Sequence, residues 1–336
     1  MNLIAIDVGF GFTKAVTRHG QRVCFPSAVA AARGDGDLGR AVGAGAPGHQ
    51  VTVTTRAGPQ RLLVGDAALA SGAVRSWDPA AARRHDYAAL VLTALGLLAT
   101  AAVPAGPTDL AVGLPLAGYL QRPQRQALRD QLSGLRGSVQ VDGAAERRVE
   151  IGTVRVFPQA VGAFVHAASS DPAATAGAIG VLDLGYRTSD LLLLQPGVAG
   201  PVPDEARSTS LEAGIGQACE GVSHWLEGHA GIMVPPGVID TALAGTGLLP
   251  VSGQTYDVRG MFEAEVRALA ARIVDDVRRR WADRLAFLSV LLVAGGGGHA
   301  AFAHLRCLHP TARLMPDAVF ANALGFLDMA AASATV

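Results

Sequence analysis

The stretch Asp7-Val8-Gly9-Phe10-Gly11-Phe12-Thr13-Lys14 decides how this chain is read. Lys14 is the only lysine; every other one of the 28 Lys and Arg positions is arginine. A composition that discards lysine elsewhere and keeps it here points to a site needing a compact ammonium on a flexible stem, not a planar fork. Phosphate clamping sets that requirement. The preceding apolar run Leu3-Ile4-Ala5-Ile6 predicts a strand ending on Asp7, a carboxylate placed where Mg²⁺ with its waters can sit. Gly9 and Gly11 let the backbone approach a phosphate with no Cβ in the way. Taken alone, the segment also reads as a plain β-hairpin with two turn glycines.

A length of 336 residues predicts two domains. The formal charge is zero, so the totals supply no basic field for direct nucleic-acid binding. Arg278-Arg279-Arg280 and the basic run from Arg122 to Arg136 read as solvated helix faces. Cys24, Cys219 and Cys307 lie far apart without metal-ligand spacing, as expected of reduced thiols in a cytoplasm. No signal peptide is expected, because a strand begins at residue 2. Tyr87–Val103 carries no charge and is bounded by Arg83-Arg84 and Pro104. It is alanine-rich and at the short edge of spanning length, so a helix beneath a sheet is expected, and no membrane segment.

Strands are predicted at Leu3–Asp7, Phe12–Thr17, Arg22–Phe25, Val51–Thr55 and Arg61–Val64, with a Gly/Ala/Asp-rich mobile insertion at 33–50. Helices are predicted near Asp66–Ser71, Arg83–Ala102 and Leu120–Leu132, and a buried strand at Asp109–Pro115. Arg155-Val156-Phe157 ends another strand, and Pro158 is expected to open a helix. A second block repeats the plan. Ile179–Asp183 is an apolar strand ending on aspartate, followed by Gly185 and a strand at Asp190–Gln195. Helices are expected at Glu212–Gly228, Asp257–Leu285 and Asp317–Ala331, and a strand at Phe287–Ala294. Two strand–Asp–x–Gly–strand units about 176 positions apart suggest a duplicated α/β protein with its ligand where the halves face each other.

Asp183-Leu184-Gly185-Tyr186-Arg187-Thr188-Ser189-Asp190 supplies the second carboxylate. Two such hairpins can clamp a triphosphate from opposite sides, with Mg²⁺ between Asp7 and Asp183 to offset their like charge. Thr188 can bind a phosphate oxygen, and Asp190 holds water or fixes the turn. Gln159, expected in the first turn of a helix, can orient an attacking water by accepting one hydrogen bond and donating another; it reads equally as an ordinary helix residue. The run Gly295-Gly296-Gly297-Gly298 after an apolar strand can lie flat against a base or ribose. Ser208–Gly216 can form an anion-binding helix start, with Ser210 as N-cap and Gly214 close by. No GxxxxGK[ST], HExxH or GxSxG motif occurs, and a third dinucleotide glycine is missing.

In order, DVGFGFTK, GLPL, FPQAVGA, DLGYRTSD, AGGGG and PDAVFANALGF resemble the motifs of the actin-like ATPase superfamily, most closely its ParM/StbA-like plasmid-segregation branch and the archaeal actin-like relatives. The resemblance covers nearly the whole chain. It implies an α/β, ribonuclease-H-like duplicated fold of two domains with a nucleotide cleft between them. Residues 1–157 with 316–336 would form domain I, carrying the insertion at about 33–65, and 158–315 would form domain II. It implies that Asp7, Gly9, Gly11, Phe12, Thr13 and Lys14 form the first phosphate loop, and Asp183, Gly185, Tyr186, Arg187 and Thr188 the second. Ser210 and Gly214 would add to the nucleotide site, while Gly295, Gly296 and Gly297 take the adenosine. Asp7 and Asp183 would face Mg²⁺, and Gln159 and Asp183 would be catalytic. Tyr186 and Arg187 depart from the small residues usual there; Arg187 either contacts phosphate or points outward.

The implied activity is ATP hydrolysis (GTP being an alternative) coupled to polymerisation of a cytoplasmic filament that segregates plasmid DNA through an adaptor. Rival readings on the same fold are a small-molecule kinase and a non-polymerising nucleotide-dependent scaffold.

Overall fold

The opening apolar run forms β1 (Asn2–Val8), and Leu3 to Asp7 are all buried. A strand covered on both faces needs such a continuous run. The computed structural model describes residues 2–32, 48–55, 58–73, 86–98, 106–171 and 176–333. The chain divides into two compact units, one made of Met1–Leu114, Gly118–Phe157 and Phe326–Val336, the other of Pro115–Ala117 and Pro158–Gly325.

In the first unit β1 pairs antiparallel with β2 (Phe12–Thr17), which pairs with β3 (Arg22–Pro26). The other strands are β4 (Val29–Ala31), β5 (His49–Thr55), β6 (Gly58–Val64), β7 (Thr108–Leu114), β8 (Arg136–Val141) and β9 (Arg147–Pro158). They make one sheet in the order β3-β2-β1-β7-β9-β8-β5-β6-β4, with β1 and β7 parallel. A short α1 (Asp66–Ala70) follows β6, and α2 (Asp86–Leu97) is the uncharged segment. A Cβ on Gly96 would come within 2.6 Å of Val141, so α2 lies directly on the sheet. No helix among the described residues is long and apolar enough to cross a membrane. Most of the expected insertion, and the expected start and end of α2, fall outside the described residues.

The polar helix expected at Leu120–Leu132 is two elements, α3 (Leu116–Leu120) and α4 (Arg122–Leu132), with proline at the start of α4. Only the end of β9 was anticipated. The β8–β9 hairpin turns at Asp142-Gly143, both at positive φ, which is the strongest short hairpin signal a sequence offers.

The second unit repeats the plan. Its strands are β10 (Ala178–Leu184), β11 (Ser189–Gln195), β12 (Val202–Pro203), β13 (Thr209–Leu211), the hairpin β14 (Leu248–Val251) and β15 (Gln254–Asp257), β16 (Leu288–Ala294) and β17 (Ala312–Leu314). The main sheet runs β12-β11-β10-β16-β17, the arrangement of β3-β2-β1-β7-β9. The helices are α5 (Val161–Ser170), α6 (Gly216–Ala230), α7 (Pro236–Ala244), α8 (Arg259–Trp281) and α9 (Gly296–Leu305), and α10 (Ala321–Ala332) begins here and belongs to the first unit from Phe326 on. One face of the sheet buries α8, whose Trp281 takes the space a Cβ on Gly180 would fill, at 2.7 Å. The other face packs on Ala160, Ala163 and Ala167 and on Met315 and Ala321.

Several helix starts fall later than expected. Pro158 ends β9 and α5 begins at Val161; α6 begins at Gly216, not Glu212; α10 begins at Ala321, not Asp317.

Candidate functional site

Each unit carries the same turn. In the first, Gly9 N–H donates to Phe12 O at 3.1 Å; in the second, Gly185 N–H donates to Thr188 O at 2.9 Å. Strand register places Lys14 directly opposite Asp7, and Asp190 directly opposite Asp183. The duplication thus puts a carboxylate in the second hairpin where the first has the sole ammonium.

Lys14 Nζ lies 3.3 Å from Asp7 Oδ2, with Asp7 3% exposed. A Cβ on Gly9 would stand 3.2 Å from both Lys14 Nζ and Phe12 O. Gly11 O accepts from Ser27 N–H at 2.9 Å. Neighbouring strand residues point to opposite faces, so Thr13 turns away from Lys14. Its fully buried hydroxyl meets Ser27 Oγ at 2.9 Å. Phe12 remains exposed. Cys24 faces Lys14 across β2 and β3. Desolvation pushes its thiol above the ordinary value, the Lys14 ammonium opposes that, and Asp7 adds to it.

The second turn is gripped from behind. Gly185 O accepts from Ile215 N–H at 3.0 Å and Tyr186 O from Gly216 N–H at 2.8 Å. A Cβ on Gly214 would lie 2.4 Å from Tyr186 O, and one on Gly216 2.6 Å from the Tyr186 ring. Gly214 is therefore there for backbone approach to the turn. Arg187 reaches Glu212 at 3.3 Å. Ser210 is not a helix cap: it lies in β13, donates to Asp190 Oδ1 and accepts from Ala117 N–H at 2.9 Å. Asp190 Oδ1 also accepts from Leu116 N–H at 3.1 Å, so Asp190 fixes local structure.

The glycine run divides. Gly295 alone is a loop residue, at φ 83°, and a Cβ there would fall 2.2 Å from Leu184 O and 2.5 Å from Asp183 Oδ1. Gly296, Gly297 and Gly298 form the first turn of α9. Gly297 packs on Leu184, where a Cβ would come to 2.8 Å, whereas Gly296 borders open space.

Gln159 does not lie in the first turn of α5 as expected. It precedes a γ-turn of the strained, positive-φ kind: Val161 N–H donates to Gln159 O at 2.8 Å across Ala160, at φ 63°, ψ −40°. Such backbone costs about 1–3 kcal/mol and persists only where surroundings enforce it. Sequence reasoning missed the residue that enforces it. Asn322 Oδ1 accepts from Ala160 N–H at 3.0 Å and Ala163 N–H at 3.2 Å, while its Nδ2 donates to Asp183 Oδ2 at 2.6 Å. The A-N-x-x-G pattern at 321–325 is its only local signal.

Among the described residues no three His, Cys, Asp or Glu side chains converge. Mg²⁺ does not need such a cage: it uses one or two carboxylates and takes its other ligands from phosphate and water. Buried Asp183, with one oxygen fixed by Asn322 and the other beside Gly295, fits that role, as does Asp7.

Two sheets of one strand order, each with a buried carboxylate at the end of its first strand beside a glycine-closed turn, define an actin-like two-domain α/β protein. The chain belongs to the actin-like superfamily. Residues 5–162 match the model described as the actin-like proteins N-terminal domain, and 181–306 the archaeal actin homologue MreB-like C-terminal model. An archaeal actin homologue of Thermoplasma volcanium is 28% identical, over 98% of this chain and 99% of that protein. A subunit of a 15-stranded ParM filament from Clostridium botulinum superposes with a TM-score of 0.86 at 21% identity, over 99% and 100% of the two chains. An archaeal actin homologue in complex with ADP superposes with a TM-score of 0.79 at 22% identity, over 99% and 100%.

Proposed function

We propose that this chain binds and hydrolyses ATP and assembles with copies of itself into nucleotide-dependent filaments. The observation that carries the reading is the pair of matching turns, each beside a buried carboxylate, with the sole lysine in the first. The ADP complex and the ParM filament among its structural neighbours support it.

In this reading the amides of each turn bind phosphate oxygens. Lys14 follows the phosphate charge, and Gly295, Gly296 and Gly297 border the adenosine. Asp7 and Asp183 would hold Mg²⁺, which offsets phosphate charge when bound. Gln159 aims the attacking water: the water's oxygen bonds to the γ-phosphorus, the bond to the β–γ bridging oxygen breaks, the water's proton passes to a phosphate oxygen, and ADP and inorganic phosphate depart. Assembly completes the geometry for hydrolysis. The filament positions plasmid or other DNA in the cytoplasm through an adaptor, which agrees with the neutral net charge.

Pelleting of the full chain with ATP, with ADP and without nucleotide, alongside phosphate release, tests this. ATP-dependent pelleting with concentration-dependent turnover is expected. A chain that stays monomeric with ATP under crowding overturns the filament reading, and turnover that needs an added sugar or acid replaces it with a kinase.

A further inference from the structure

Asp183 and Gln159 can do the work proposed for them only where the fold holds both in place, and the inference that follows rests on that proposed function. We infer that Asn322 is a positioning residue that sets both groups at once. It is 5% exposed, and a buried amide must satisfy both its ends. Two backbone N–H groups converge on one end, so that end is the oxygen and the other must donate. The donated hydrogen bond goes to Asp183.

Helix α5 has alanine at its N-cap, a residue with no oxygen to offer. Asn322 supplies the missing acceptor from α10, including the bond to Ala163, the third helical residue, that a capping side chain normally makes. It thereby holds the positive-φ turn at Ala160 that sets the direction of Gln159. The same amide fixes Oδ2 of Asp183 and leaves Oδ1 on the Gly295 side. One side chain thus couples the carboxylate to the water-aiming glutamine. Gly325 makes the arrangement reachable, because its bare backbone rests on Gly162 O three positions along α10 from Asn322. Aspartate at 322 would keep both backbone bonds but set a second carboxylate against Asp183. Alanine would remove every bond.

The test uses the full-length chain, with Mg-ATP turnover, fluorescent-ATP binding in EDTA and thermal melting. Asn322→Asp is expected to melt near the parent, to bind nucleotide in EDTA within about threefold, and to lose roughly 100-fold in kcat with little change in KM. Asn322→Ala is expected to lose at least as much kcat. If it does not fold, Asn322→Ser, which restores a short donor and acceptor, carries the comparison and should recover part of the loss. Parental kcat in Asn322→Asp overturns the inference, as does a loss of EDTA binding that matches the loss of kcat. A parent chain that neither binds nor turns over ATP sinks the nucleotide reading itself. A fully active parent beside an unimpaired Asn322→Asp sinks only the role of Asn322.

Discussion

Gly325 and Gly162 meet backbone to backbone: a Cβ on Gly325 would stand 1.8 Å from Gly162 O. No rotamer change can relieve that clash, because both atoms belong to main chain. Gly325→Ala should therefore push α10 off α5 and cost about 1–3 kcal/mol or more, the range for overpacking. Urea unfolding measures it. A midpoint unchanged from the parent would mean that the two helices are not in backbone contact.

The pair Asp7–Lys14 is buried enough that breaking it should cost more than removing it whole. Lys14→Ala takes the ammonium from a carboxylate that is 3% exposed. The expected loss is about 3–5 kcal/mol, of which the double variant Asp7→Asn, Lys14→Met recovers most. Lys14→Arg keeps the charge but replaces a compact head with a planar fork. It should fold and bind ATP at least about tenfold more weakly, a difference of roughly 1.4 kcal/mol. Equal ATP affinity in Lys14→Arg would remove the case for why the chain retains one lysine.

What was legible in the sequence followed from local signals. The hairpins Asp7–Lys14 and Asp183–Asp190 announce themselves as continuous apolar strands ending on aspartate and glycine, and their repetition gives the duplicated fold. Ser210 misled because Ser-Leu-Glu before glycine imitates a cap, whereas register against β11 made it strand. Gln159 was placed in a helix because Pro158 favours a helix start, but the γ-turn delays that start to Val161. Asn322 was invisible. Its partners Asp183, Ala160 and Ala163 lie 139, 162 and 159 positions away, and a single asparagine carries no periodic pattern.

Asp257 should make a visible contribution to acid unfolding. Its carboxylate accepts from the Arg259 guanidinium and from Arg259 N–H at the start of α8, and these hydrogen bonds hold its pKa down to about 2. A depressed folded value means stabilisation that is complete above the unfolded value of about 4 and is lost as pH falls through about 2. Asp257→Asn should flatten that part of the stability-against-pH curve and leave the curve above pH 5 parallel to the parent. An identical acid slope in both proteins would show that the pair forms equally in the unfolded chain.

Cys24 offers a chemical report on the first hairpin that needs no nucleotide. It sits directly across from Lys14 in the β2–β3 register and is exposed enough to meet a reagent. Desolvation raises its pKa while Lys14 lowers it. Only the thiolate reacts, so alkylation by iodoacetamide should be slow near neutrality and should climb above the ordinary thiol range. Removing the ammonium leaves the raising effects unopposed. The alkylation-rate profile of Lys14→Met should therefore move to still higher pH, whereas Lys14→Arg should leave it nearly in place. An unchanged profile in Lys14→Met would mean that Lys14 is turned away from β3, and with it from the hairpin face it shares with Asp7.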